Sequence, residues 1–198
     1  MNNTTQLVLT NKDYKRYFEK GISYEAYKNN FQKEIDMGEE IKYAKYLPQN
    51  WSRQSRLDRK FQLSDELKVA IQQLDKPLNW LVITEHWCGD ASQINPIINK
   101  VAEESQGKIN LRFVYRDEHN LLMHAHLTDG KSRSIPILIQ MNEDFKLMNS
   151  YGPRPADAQK LALSLIAKGE SYDVPLHTWY ARDKQVSLQQ DIAALINQ

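Results

Sequence analysis

Eight consecutive residues, Glu85-His86-Trp87-Cys88-Gly89-Asp90-Ala91-Ser92, carry the densest chemistry in the chain: two acids, an imidazole and the sole cysteine. A thiol attacks as its thiolate, so its surroundings decide whether Cys88 is a nucleophile. An apolar run ends just before this segment and a helical pattern begins at Gly89, which places Cys88 at a helix start. There the free backbone N–H groups and the positive end of the helix dipole favour a negative sulfur. Asp90 in the first turn opposes that effect, and a protonated His86 would offset Asp90. Cys88 is therefore either a lone reactive group or a buried structural thiol. The expectation carried forward is an accessible thiol, more acidic than the usual value of about 8.5. A single cysteine excludes an intrachain disulfide, a multi-cysteine zinc site and a disulfide scaffold.

Other side chains could join this segment. Arg133 and Arg154 fall on loops expected at the same end of the sheet as Cys88, and Arg116 ends a strand there. They would either bind an anionic substrate, such as glutathione-like carboxylates, or pair with Glu85, Asp90 and Asp117, and pairing is favoured. His124 and His126 point apart on a helix and lack a third ligand, so they are read as surface histidines, and neither a metal nor a cofactor is expected. The aromatics Tyr24, Tyr27, Phe31, Tyr43, Tyr46 and Trp51 are read as packing onto a core rather than as a partner-binding face. The stretch from Pro48 to Lys60, with Arg53, Arg56 and Arg59, is read as irregular, basic and solvated.

The elements that must position these groups follow from periodicity. Thr10 or Asn11 opens a helix that Gly21 stops, and Ser23 caps a second helix to about Asp36 with Tyr24, Tyr27, Phe31 and Ile35 on one stripe. Ser64 starts a further helix that ends at Asp75-Lys76-Pro77. The character then changes. Residues 78–84 read as a strand buried on both faces, followed by a helix to about Ser105, a strand over 109–115 and a short helix over 119–127. Strands over 136–141 and 145–151 form a hairpin about Asn142-Glu143-Asp144. A helix over 155–168 and a last amphipathic helix bearing Leu188, Ile192, Ala193 and Ile196 complete the chain. The helical crossover makes the first two strands parallel and the hairpin makes the last two antiparallel, giving an α/β fold with a mixed four-stranded sheet flanked by helices. We divide the chain into a helical N-terminal extension (1–77), an α/β domain (78–170) and a C-terminal helical extension (171–198).

Composition narrows the function classes. In 198 residues, 26 Lys and Arg balance 25 Asp and Glu for a net charge of +1, too even for a nucleic-acid binder. No apolar run is long enough to span a membrane, and residues 1–6 lack a signal-peptide pattern, so the expectation is cytoplasmic.

Residues 78–168 resemble thioredoxin. Trp87-Cys88-Gly89 matches the start of its active-site Trp-Cys-Gly-Pro-Cys, and Pro96, eight residues after Cys88, matches the proline that kinks the following helix. Ser134-Ile135-Pro136 resembles the segment carrying the cis-proline beside the active-site cysteine. Gly152, 16 residues beyond Pro136, matches the substrate-surface glycine. The departures matter equally. Asp90 replaces the motif proline, Ala91 replaces the resolving cysteine, and Val82 replaces the buried acid that serves it. The chain more closely resembles bacterial thioredoxin-like proteins with Trp-Cys-Gly-Asp-Ala and a helical extension. The resemblance implies a cis peptide at Pro136, with Ile135 exposed for pairing to an extended peptide. It further implies a groove shaped by Trp87, Gly89, Asp90, Ile135, Pro136 and Gly152. The leading expectation is monothiol exchange through Cys88 with a protein or low-molecular-weight thiol or disulfide, resolved by an external thiol. The rival is a redox-inactive module that binds peptides or proteins.

Overall fold

The computed structural model describes residues 8–40 and 42–197. Residues 1–6, read above for a leader, lie outside them. Among the described residues four α-helices precede the sheet, α1 (Asn11–Lys20), α2 (Tyr24–Met37), α3 (Leu47–Lys60) and α4 (Asp65–Gln72), with two short 3-10 turns between α2 and α3. Then come β1 (Leu78–Thr84), α5 (Gly89–Glu104), β2 (Ile109–Tyr115), α6 (Asn120–Ala125), β3 (Ile137–Met141) and β4 (Leu147–Tyr151). Helices α7 (Ala156–Ala167), α8 (Asp173–Asp183) and α9 (Val186–Ile196) close the chain.

The strand order is β2-β1-β3-β4, with β1 parallel to β2 and antiparallel to β3, and β3 antiparallel to β4. This is the mixed sheet that the patterning predicts. Every residue of β1 is buried, as expected of a strand covered on both faces. Trp80 and Val82 meet α2, α4, α5 and α9 through Tyr27, Ile71, Ile97 and Ile192. On the other face Leu81 and Ile83 meet α1 and α6 through Tyr14, Tyr17, Leu122 and Met123. A polar thread crosses the first layer: Trp80 Nε1 donates to Gln140 Oε1 at 3.0 Å, and Gln140 Nε2 donates to the Leu195 carbonyl at 2.9 Å. Both buried amide ends are thereby satisfied.

Thr10 caps α1 with a reciprocal bond from Asp13, Ser23 caps α2, and Ser64 caps α4, as the sequence signals require. Between α1 and α2, Ile22 exchanges two 2.9 Å backbone bonds with Phe113 on the outer edge of β2. Gly21 permits that approach, because a Cβ there would stand 2.7 Å from the Arg112 Cβ.

Three expectations need correction. Residues 48–60 are not irregular: Pro48 lies in the first turn of α3, and Leu47, Asn50, Gln54 and Leu57 are buried along one side. The inward stripe is half amide, so its helical period is hidden from an apolar count, while Arg56, Arg59 and Lys60 remain solvated. The C-terminal extension contains two helices rather than one, since α8 contributes Leu176 and Tyr180 to a small core with Ala158 of α7. Finally, His124 is exposed as expected, but His126 is half-buried. Its Nε2 lies 3.0 Å from the Tyr14 hydroxyl, and burial pushes its pKa down to about 4.

Candidate functional site

The site is built where β1 stops. After Thr84 the chain turns through Glu85-His86-Trp87, and Cys88 becomes the N-cap residue of α5, with its N–H on the Glu85 carbonyl at 3.2 Å. His86 anchors the turn. Its ring lies between Phe31 and Tyr27, its Nε2 is 3.1 Å from the Tyr27 carbonyl, and Glu34 Oε2 is 2.8 Å from Nδ1. The His86 carbonyl accepts from Asn50 of α3 at 3.1 Å. His86 therefore holds the loop to the helical extension and does not face Cys88 as a charge partner.

Cys88 occupies the predicted strand-to-helix junction, but its thiol differs from the expectation. It is buried, 8% exposed, and donates to the Ile135 carbonyl at 3.3 Å. Burial, reinforced by the Asp90 charge, pushes the thiol up to about 12, against smaller opposing effects from the Ala91 and Asp90 amides and Arg154. A helix start is thus outweighed by desolvation and a neighbouring anion. The sequence showed Asp90 but could not show how completely the sulfur is covered.

Asp90 is itself buried and fully engaged. Arg154 donates to Oδ2 from Nε at 3.0 Å and from Nη2 at 2.6 Å, while the Tyr180 hydroxyl donates to Oδ1 at 2.7 Å. This ties the first turn of α5 to the loop after β4 and to α8. The remaining arginines also pair as favoured. Arg116 bonds Asp117 at 2.9 Å with its guanidinium 4.7 Å over the Trp87 ring, and Arg133 reaches Asp117 at 3.5 Å and Asn120 at 2.8 Å. Glu85 accepts the Asp117 N–H at 2.9 Å, and burial pushes its carboxyl up to about 7.

The Ile135–Pro136 peptide is cis. Gly152 has φ +134°, and a Cβ on it would run into the Pro136 carbonyl and lie 3.1 Å from Ile137 Cδ1. Gly152 thus allows the loop after β4 to close against the Pro136 segment. Gly89 gives the His177 ring close access to the start of α5, because a Cβ there would stand 2.9 Å from that ring.

A cleft of about 880 Å³ has Trp87, Cys88, Gly89, Asp90, Ile135 and Arg154 on its floor, whereas Glu85, His86, Pro136 and Gly152, also expected at the site, stand behind it. Its walls include residues that the sequence did not single out: Asn50 of α3, and Tyr172, His177 and neighbours at α8. Tyr43, expected to pack on the core, is exposed, and its ring lies tilted against Trp87 at the rim with centroids 4.9 Å apart. The only sequence clue to the α8 wall was the Leu176/Tyr180 spacing of four, which Pro175 in the first turn disguises. No group of acids, histidines and cysteine suited to a metal occurs among the described residues, and none of their helices is long and apolar enough to cross a membrane.

A family described as Thioredoxin matches residues 37–171. The chain belongs to the thioredoxin family. The match begins at the end of α2 and takes in α3 and α4 as well as the sheet. Two solved structures share the fold of this thioredoxin-family chain. A Pseudomonas aeruginosa protein of unknown function is 18% identical, with TM-score 0.64, over 93% of this chain and 96% of that one. An HIV epitope-scaffold is 17% identical, also with TM-score 0.64, over 93% and 97%. No curated protein matches the sequence.

Proposed function

We propose that this thioredoxin-family protein is a peptide-binding module whose cysteine works as a hydrogen-bond donor in the groove rather than as a resting nucleophile. The observation that carries the reading is the Cys88 thiol, buried and donating to the Ile135 carbonyl at 3.3 Å. With its pKa pushed up to about 12, the thiolate fraction at pH 7 is on the order of 1 in 10⁵. Ala91 and Val82 support the same reading, since neither a resolving thiol nor the acid that would serve it is present. The cleft beside the thiol supports it further: Trp87 and Ile135 line it, and Gly152 lets the loop after β4 close against the Pro136 segment. Extended peptides bind such surfaces through backbone bonds, with side chains taken by flanking pockets.

Monothiol exchange is the second reading. It is favoured by the place of Cys88 in the cleft and by the Ala91 and Asp90 amides, which stabilise a negative sulfur. In that cycle the Cys88 thiolate attacks a substrate disulfide and expels one thiolate, and an external thiol then attacks the mixed disulfide to regenerate Cys88.

A reduced, carboxymethylated polypeptide separates the two, because it offers no thiol or disulfide. The binding reading expects wild type to capture it, and Cys88→Ser, which keeps a donor to the Ile135 carbonyl while removing the thiol, to capture it with similar affinity. It fails if neither binds while glutathione disulfide adds one glutathione to wild-type Cys88 at pH 7 within minutes, as read by intact mass.

A further inference from the structure

The arginines of the cleft are not equivalent. Arg154 is committed to Asp90 and to Gln159 Oε1 at 2.8 Å, and Arg116 and Arg133 share Asp117. Arg53, on α3, bonds only a neutral group, Asn50 Oδ1 at 2.9 Å. Among the described residues no carboxylate lies within ion-pair distance of it, and Asp173 acts on it only from farther away. Asn50 in turn holds the His86 carbonyl, so the guanidinium is fixed to the loop that carries Cys88. Four arginines against two aspartates, Asp90 and Asp173, line the cleft. Arg53 is half-buried in the cleft wall, and its remaining donors are available to an anion that enters.

His177 adds an independent sign. It stands on α8 across the mouth, its ring against Gly89, and its Nδ1 is buried with no hydrogen-bond partner. Buried ring nitrogens are almost always paired, so His177, a residue of the cleft wall, keeps hydrogen-bonding capacity that the chain itself does not use. The groups facing this imidazole are Arg53, Asp90 and Asp173. Aromatic rings of Tyr43, Tyr46, Trp87 and Tyr172 line the same cavity. A volume of about 880 Å³ falls in the range of small-ligand sites and holds a peptide of a few residues, not a folded partner.

We infer that the α3–α8 wall is a carboxylate-binding site, in which Arg53 and His177 receive the free C-terminal carboxylate of a short peptide lying along the groove. The inference rests on the peptide-binding reading above and names the chemistry that reading lacks. A planar carboxylate takes two parallel bonds from a guanidinium, and aromatic walls accept the apolar residues that precede it. Trp87 and the Pro136 segment then contact those preceding residues.

The probes are the tripeptide acetyl-Ala-Leu-Ala with a free carboxylate, its C-terminal amide, and inorganic phosphate, each titrated calorimetrically into the full chain. The acid is expected to bind about tenfold more tightly than the amide. Arg53→Gln should abolish that difference, and Arg53→Lys should restore part of it. On wild-type protein, the Arg53 Nε and His177 ring resonances should shift with the acid and not with the amide, a readout that survives even if the variants fold poorly. Equal binding of acid and amide, or resonance shifts that map elsewhere, overturns the carboxylate site while leaving peptide binding intact. Phosphate competing as tightly as the acid also overturns it, because a generic oxyanion site would then explain Arg53. Failure of both tripeptides to bind overturns it as well, and capture of the carboxymethylated polypeptide then decides separately whether the groove binds peptides at all.

Discussion

Asp90 does most to determine what Cys88 can do. Its charge raises the thiol pKa, and its oxygens are held by Arg154 and Tyr180. Replacing it with Asn removes the anion and leaves the Arg154 cation in place, so the Cys88 pKa must fall. The same change strands a buried guanidinium, costing about 3–5 kcal/mol. The pH dependence of iodoacetamide labelling checks the first effect and urea denaturation the second. A labelling midpoint that stays put in Asp90→Asn would show that burial alone governs the thiol. Glu85 supplies a different pH signature. Its carboxyl is raised from 4.5 to about 7 by burial, so in that interval the folded chain keeps a proton that the unfolded chain has released. Unfolding then releases the proton, and stability falls as pH rises from about 4.5 through about 7. Glu85→Gln removes that dependence. The expected result is a flatter plot of stability against pH over that window than wild type gives, and an unchanged slope would mean that Glu85 titrates normally.

At the scale of elements, the junctions decide the geometry. Gly152 ends β4 at φ +134° with the Pro136 carbonyl where a Cβ would go. Gly152→Ala is expected to cost on the order of 3 kcal/mol, by combining a strained backbone with a clash against main chain. Gly107→Ala is the control. It also has a positive φ, +92°, but nothing lies within 4 Å of its Cβ position, so about 1–2 kcal/mol is expected there. Similar losses for both would remove the argument that Gly152 is needed for closure on the Pro136 loop.

Element type was legible in sequence wherever period and burial coincide. β1 is an apolar run buried throughout, and α2 shows Tyr24, Tyr27 and Phe31 at spacings of three and four, all buried. It was not legible where polar residues point inward. Asn50 and Gln54 occupy the buried stripe of α3, and Pro175 sits in the first turn of α8. Those two helices form the wall that local spacing around Cys88 could not reveal. The motif therefore located the floor of the site and missed its sides. The thiol's acidity is hidden from the sequence for the same reason, since coverage of a side chain comes from segments distant in sequence.

Across the whole molecule, the cleft joins residues that lie far apart in the chain. Tyr180 reaches back 90 residues to Asp90, and Arg154 reaches back 64. Tyr180→Phe deletes one donor to a buried carboxylate, so about 2 kcal/mol of stability should be lost. Hydrogen exchange should then quicken first in α8, the element that the bond holds down. Protection in α8 equal to wild type would show that its apolar contacts with α7 suffice. At the opposite side of the sheet, the exchange of bonds between Ile22 and Phe113 occupies both outward backbone groups of Phe113. An uncovered outer strand is a template on which other chains add strands and aggregate. The link between the first two helices therefore acts as a guard rail for β2. Trimming it away to isolate the sheet and its cysteine would expose a sticky edge, so the helical extension contributes to colloidal stability as well as to the site.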